Sequence, residues 1–291
     1  RYKENDYIYK GSYAVKVITM GISMYTTYAL NLNFPTPVDA FRHFYKKGIR
    51  YADIVDDELE KYPLHYYCDC LKCAGIIPDA LVSMIDIADF NKIQREKNIA
   101  KVKGYIDQME KLSIPILMPA PSVKRAESAD ELKVMQAVMV ESFSHLVDYA
   151  KGTGIKIAIE NQSTNTRPDS KIQDILSILD SVPELGFIFD TGNFFCVGED
   201  VLRAFDILSK KTVHIHCKDW QLNSTGNFVR DNIPRFDGVE LGKGDIPLRK
   251  IISLFKNTNY NGNFVLEINS DSITTQMLDK SAEFLYTELN K

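Results

Sequence analysis

Ile155-Lys156-Ile157-Ala158-Ile159-Glu160 is a short run in which every second residue is an isoleucine and the last residue is a carboxylate. Alternate residues of a strand face opposite sides, so Ile155, Ile157 and Ile159 share one face and Glu160 takes the other. The same pattern recurs downstream. Phe187-Ile188-Phe189-Asp190 sets two phenylalanines against a terminal aspartate, and Thr212-Val213-His214-Ile215-His216 sets Val213 and Ile215 against a terminal imidazole. Asn263-Phe264-Val265-Leu266-Glu267-Ile268 sets Phe264, Leu266 and Ile268 against a third carboxylate.

Upstream, Val15–Ser23, Ile49–Ile54, Leu81–Asp86 and Ile114–Met118 bring the apolar runs to eight. The segments between them carry helical spacing. Ile172, Ile175, Leu176, Ile178 and Leu179 fall on one helix face, as do Leu248, Ile251, Ile252 and Phe255. The longest segment opens at Ser128-x-x-Glu131, a capping box, and closes at Gly152, a C-cap. Near-continuous hydrophobic runs are the mark of parallel strands buried on both faces. Eight of them, each followed by a helix, predict an α/β fold with a single (β/α)8 TIM barrel. A doubly wound sheet would carry a glycine-rich phosphate fingerprint after its first strand, and that is missing. With 291 residues and 45% hydrophobic content, the expectation is one domain over residues 1–291, the barrel proper spanning about 13–290.

The charge balance, 35 basic against 39 acidic residues, argues against a nucleic-acid surface. No apolar run reaches the length of a membrane span and no signal peptide is recognisable, so a cytoplasmic protein is expected. The five cysteines do not suggest a disulfide framework. Cys68-Asp69-Cys70-x-x-Cys73 lies in an apparent helix with no second Cys or His pair at zinc-finger spacing, and is read as packed thiols.

Barrels of this kind build their sites at the carboxyl ends of the strands. Parity turns Glu160, Asp190, His216 and Glu267 into the lumen at one height. Three carboxylates brought that close repel, so a shared divalent cation is expected. Three oxygen ligands and one nitrogen suit Mn²⁺ first, with Mg²⁺, Co²⁺ and Zn²⁺ also compatible. The bland alternative is a set of solvated strand ends and helix caps; Asp190 before Thr191-Gly192 is a natural cap. Lys218, on the parity of His216, is a candidate for a substrate oxygen or phosphate, with a surface lysine as its alternative. Asn161 and Asn193 are candidates for substrate hydroxyls or for loop shaping. Trp220, with Phe194 and Phe195, is a candidate pocket wall or plain packing. His214 sits one layer deeper, as support for the site or as core. Asp53 and Asp86 end the second and third runs, as hydroxyl contacts or helix caps. Arg230, Arg235 and Lys243 are scattered basic residues near the later loops.

The stretches Ile157–Asn161, Phe189–Asn193, Val213–Asp219 and Val265–Glu267, with the glycine-rich Leu241-Gly242-Lys243-Gly244-Asp245-Ile246, resemble the xylose isomerase-like superfamily. Within it they are similar to the sugar phosphate isomerase/epimerase branch. The resemblance implies the same four metal ligands, with Glu160 and Glu267 able to shuttle protons. It also implies isomerisation, epimerisation or dehydration of sugars, keto-acids or inositols in carbohydrate metabolism. The expectation is therefore a metal-dependent isomerase or epimerase working through an enediolate on a small sugar-like substrate. A dehydratase on the same site and a non-catalytic sugar-binding barrel are the alternatives. Asn193 stands where many epimerases of the branch have histidine, and Leu222 where ketose 3-epimerases have arginine, which argues against the latter group. Five histidines, with His43, His65 and His145 in helical segments, do not supply the trinuclear zinc site of endonuclease IV, so neither DNA repair nor a nucleic-acid partner is expected. A homo-oligomer is compatible with the sequence.

Overall fold

A computed structural model describes residues 20–23, 34–120, 125–223, 226, 235–270 and 273–291. Eight parallel strands close into a barrel: β1 (Met20–Ser23), β2 (Tyr51–Val55), β3 (Ile77–Ser83), β4 (Ile116–Pro119), β5 (Lys156–Glu160), β6 (Gly186–Asp190), β7 (Thr212–Cys217) and β10 (Phe264–Leu266). Closure is made where Met20 of β1 pairs with Phe264 of β10, while Gly21 pairs with Tyr51 of β2 on the other side. Residues 15–19 of the first expected strand, the expected barrel start near residue 13, and Arg230 lie outside the described residues.

Around the strands lie α1 (Pro37–Lys46), α2 (Leu64–Ala74), α3 (Lys92–Leu112), α4 (Ala129–Ala150), α5 (Ile172–Ser181), α6 (Thr191–Cys196), α7 (Val201–Leu208), α8 (Leu248–Lys256) and α9 (Thr275–Asn290). Ser128 caps α4, its Oγ accepting from Glu131 N at 3.2 Å, while the Glu131 carboxylate reaches back one residue further than a capping box requires and accepts from Glu127 N at 2.8 Å. The helix stops at Ala150, two residues short of Gly152, whose positive φ of 86° turns the chain towards β5. In α2, Cys68 and Cys70 are buried and Cys73 is exposed, all as free thiols. Among the described residues, no helix is long and apolar enough to cross a membrane.

The bulky strand faces pack outward under the helices. Phe189 lies 5.3 Å, ring centre to ring centre, from Phe255 of α8 and 5.4 Å from Phe194 of α6. Ile159, Phe187, Ile215, Phe264 and Leu266 are equally buried. Each such side chain taken from water stabilises by roughly 1.5–3 kcal/mol, so the apolar face fixes which way every strand is turned.

Two departures from expectation have local causes. Strand β3 starts at Ile77 and ends at Ser83, earlier than the expected Leu81–Asp86. Pro78 and Asp79 interrupt its apolar pattern, and Asp86 accepts from Ala88 N at 2.9 Å in the loop before α3. The second is a two-stranded antiparallel hairpin, β8 (Trp220–Leu222) with β9 (Phe236–Gly238), which pairs Trp220 with Gly238. Three residues per strand are too few to show a period.

Candidate metal centre

Glu160 is the last residue of β5 and Asp190 the last of β6, while His216 is the fifth residue of β7. Register sets Asp190 beside His216 across β6 and β7. Glu267 follows directly on β10, and its N–H donates to Cys217 O at 3.0 Å, carrying the ladder one step past the strand. One donor atom from each of Glu160, Asp190, His216 and Glu267 lies within 4.8 Å of the others. All four residues are buried.

His216 Nδ1 is in close contact with Glu160 Oε1 and lies 3.0 Å from Glu267 Oε2. The Lys218 ammonium lies 2.9 Å from Asp190 Oδ2, 2.8 Å from Glu267 Oε1 and 3.4 Å from Asn193 Oδ1. Asp190 Oδ1 accepts from Asn193 N at 2.7 Å, so this residue caps α6 with one oxygen and offers the other to the cluster. The functional and capping expectations for Asp190 are therefore compatible.

Burial raises the pKa of Asp190; Lys218 opposes this, but Glu160 and Glu267 add to it, and the net value is about 6. Burial also pushes Glu267 up, yet Lys218 and His216 outweigh it and bring this carboxyl down to about 2. Burial disfavours the imidazolium of His216, but Glu160 and hydrogen bonds to Asp53, Glu160 and Glu267 hold it well above the usual imidazole range. Lys218 is likewise raised, because Asp190, Glu267 and Glu160 outweigh its desolvation. The protein thus balances the carboxylates with its own protons and one lysine. Asp190 Oδ2 is buried with the Lys218 ammonium as its ion partner at 2.9 Å, and it makes no hydrogen bond among the described residues. Three buried carboxylates and an imidazole, with Asp190 Oδ2 held only by an ion pair, are a donor set that fits a divalent cation.

A pocket of about 490 Å³ opens over this centre. Met84 and Met118 form part of its apolar side, and Gln162, Thr164, Asn193 and Asn269 its polar side, with Glu160, Lys218 and Glu267 also in its lining. Lys218 and Asn193, candidates for substrate contact, lie in the pocket lining. Asn161 does not: its amide donates to Asp190 O and accepts from Asp190 N, both at 2.9 Å, stitching the end of β5 to β6. Trp220 does not either. It is buried in the hairpin, 6.3 Å from Phe236, and a Cβ on Gly192 would run into its indole. Asp53 lies beneath the centre, fully buried, with Oδ2 2.8 Å from His214 Nε2 and 3.0 Å from His216 Nε2.

Gln162, Ser163, Thr164 and Arg167 were not anticipated as pocket residues. Their signal is the polar stretch that follows Glu160-Asn161 directly. Arg167 is tied to Asp169 by two bonds, of 3.0 and 2.7 Å. The glycine-rich segment also finds its purpose here. The Asp219 carboxylate accepts from Gly242 N at 2.8 Å, Gly244 N at 3.0 Å and Ile246 N at 3.4 Å. Gly242 has φ of 81°, and a Cβ on Gly244 would strike that same carboxylate, so neither position tolerates a side chain.

Residues 39–288 match the family model described as xylose isomerase-like TIM barrel. An inosose dehydratase of Clostridium perfringens is 24% identical over 148 residues, 48% of this chain and 50% of that protein. The chain thus spans about half the length of the curated relatives it matches. Among solved structures, the IolI protein with a bound zinc atom superimposes with a TM-score of 0.73 at 17% identity, covering 94% of this chain and 98% of that one. A D-tagatose 3-epimerase-like protein gives a TM-score of 0.72 at 17% identity, covering 94% and 97%. At these identities the structural likeness shows the fold alone.

Proposed function

The chain belongs to the xylose isomerase-like TIM barrel family, and from that premise we propose that it is a divalent-metal-dependent isomerase or epimerase of a sugar or keto-sugar. The observation that carries this is the convergence of Glu160, Asp190, His216 and Glu267 within 4.8 Å, with Glu160 and Glu267 lining the pocket. These four side chains would hold the ion, Mn²⁺ being the first expectation and Mg²⁺, Co²⁺ or Zn²⁺ compatible with the same donors. When bound, the ion supplies Lewis-acid stabilisation of negative charge on neighbouring substrate oxygens.

The chain's own residues do the rest. Glu160 and Glu267 reach the site from different strands, so one takes the proton from the carbon beside the carbonyl. The C–H electron pair passes into the enediolate. The other glutamate, which enters the step as the carboxylic acid, gives its proton to that carbon from the opposite side, inverting it. Lys218 and Asn193 hold substrate oxygens, and the methionines keep one side of the pocket dry.

Dehydration is the second reading, favoured by the relatives named inosose dehydratase. The same proton is removed, but the electron pair then expels a β-hydroxyl as water, protonated by the glutamate that accepted the first proton. A panel of ketoses and keto-inositols incubated in D₂O with Mn²⁺ tests both. Deuterium at an inverted carbon supports epimerisation, and loss of water with a new enone supports dehydration. An inverted carbon that carries no deuterium contradicts the two-glutamate proton transfer. Binding without turnover points to a sugar-binding barrel.

A further inference from the structure

His216 turns both ring nitrogens to carboxylates. Nδ1 faces Glu160 and Glu267 at the pocket floor, and Nε2 lies 3.0 Å from Asp53 Oδ2 below. A neutral imidazole has one N–H, and a metal takes the lone pair of the other nitrogen. An ionised carboxylate only accepts, so a carboxylate behind the ring decides which nitrogen keeps its proton.

Asp53 comes from β2, separated from β7 by β1 and β10 around the barrel, and is wholly inaccessible. The same Oδ2 lies 2.8 Å from His214 Nε2. His214 Nδ1 lies 3.5 Å from Asp79 Oδ2, which accepts from Asn263 Nδ2 at 2.6 Å. Among the described residues Asp53 Oδ1 has no hydrogen-bond partner. Lumen positions of such barrels ordinarily carry branched aliphatic residues. A sealed carboxylate with one stranded oxygen is a costly replacement. What it offers and a valine cannot is an acceptor directly behind His216.

We propose that Asp53 is a positioning residue. By accepting from Nε2–H of His216 it keeps that nitrogen protonated, so Nδ1, which faces Glu160 and Glu267 at the pocket floor, is the nitrogen that takes a divalent cation in place of its proton. His214, braced by Asp79, holds the Asp53 oxygen in line. The proposal rests on His216 being a ligand in the centre proposed above. Donors of Asp53, His214 and His216 also lie within 4.8 Å of one another, so a second ion is the competing occupant of this lower layer. The Asp53–His214 and Asp53–His216 separations of 2.8 and 3.0 Å are those of hydrogen bonds, and the layer is sealed from the pocket.

The test titrates wild type, Asp53→Asn and His214→Gln with Zn²⁺ and Mn²⁺ by calorimetry and counts bound ions by elemental analysis. The His216 Nε2–H resonance is followed by ¹⁵N-edited NMR in the zinc-loaded protein. Wild type should bind one ion and show a slowly exchanging, low-field Nε2–H signal. Asp53→Asn should keep its circular dichroism, lose on the order of 10- to 100-fold in affinity, and lose that signal's low-field position. His214→Gln retains a donor towards Asp53 and should show a smaller loss in the same direction. If Asp53→Asn does not fold, unchanged affinity and an unchanged Nε2–H signal in His214→Gln overturn the proposal. Wild-type affinity and resonance in Asp53→Asn overturn it as well. So do two ions in wild type with one missing in Asp53→Asn, since Asp53 would then be a ligand. A wild type that binds no ion removes the proposed function and this inference together.

Discussion

Two clusters of charge stand one above the other in the barrel lumen, and His216 belongs to both. The lower one, Asp53 with His214 and Asp79, is sealed. Its charges answer one another, with a single aspartate oxygen shared between two imidazoles. The upper one has three carboxylates, a lysine and the other edge of His216, with Asp190 Oδ2 making no hydrogen bond among the described residues and the pocket directly above. A sealed cluster must be balanced by its own atoms. One that opens on a pocket can borrow charge from what enters it, and the upper layer is built with more anionic oxygens than its own donors satisfy.

The largest expected effect separates the layers by chemistry. Glu160→Gln and Glu267→Gln should each cut turnover roughly 10²–10⁴-fold without unfolding the barrel, as read by steady-state kinetics and circular dichroism. If either variant kept full activity, the upper layer would be as purely structural as the lower.

A smaller effect concerns pH. In the metal-free chain His214 and His216 hold protons above the ordinary imidazole value of 6.5. Their stabilisation is complete below that pH and is lost as pH rises through their raised values. Asp190, raised from 3.8 to about 6, works in the same sense at lower pH. Glu267, lowered from 4.5 to about 2, works the opposite way, and its contribution is lost only on acidification through that range. Urea unfolding of the metal-free protein should show stability falling from about pH 6.5 upward, by up to about 1.4 kcal/mol per pH unit for each proton concerned. Saturating Mn²⁺ should flatten that slope, because the ion replaces the proton on His216 Nδ1. A slope that metal leaves unchanged would assign the titration to the sealed layer.

The smallest effect marks the edge of the site. Trp220 packs in the hairpin and is absent from the pocket lining. Trp220→Phe should lower stability by about 1–2 kcal/mol and leave KM within about 2-fold. A large KM change without loss of stability would return the indole to the pocket wall.

The barrel is legible in the sequence because each strand buries an apolar face that the eye can count, from Ile157 and Ile159 to Phe264 and Leu266. Convergence of Glu160, Asp190, His216 and Glu267 is legible for the same reason, since parity turns what is not apolar into the lumen. The lower layer is not legible as a unit. Asp53 and His214 are 161 positions apart, and nothing local in either segment announces the other. Asp53 reads equally well as a helix cap. The hairpin escapes because three-residue strands have no period, and Asn161 misleads because a polar side chain beside a ligand candidate can serve the backbone instead. Strand β3 shifts because Asp79 is lumen-facing and polar, which makes its first half look like a loop.

The central claim is that four strand ends share one cation, and a crystal soaked with Mn²⁺ and measured for anomalous scattering tests it most directly. A single peak about 2.0–2.6 Å from Glu160, Asp190, His216 and Glu267 is the predicted result. An empty centre with Lys218 still seated between Asp190 and Glu267, or a peak elsewhere in the molecule, would contradict it.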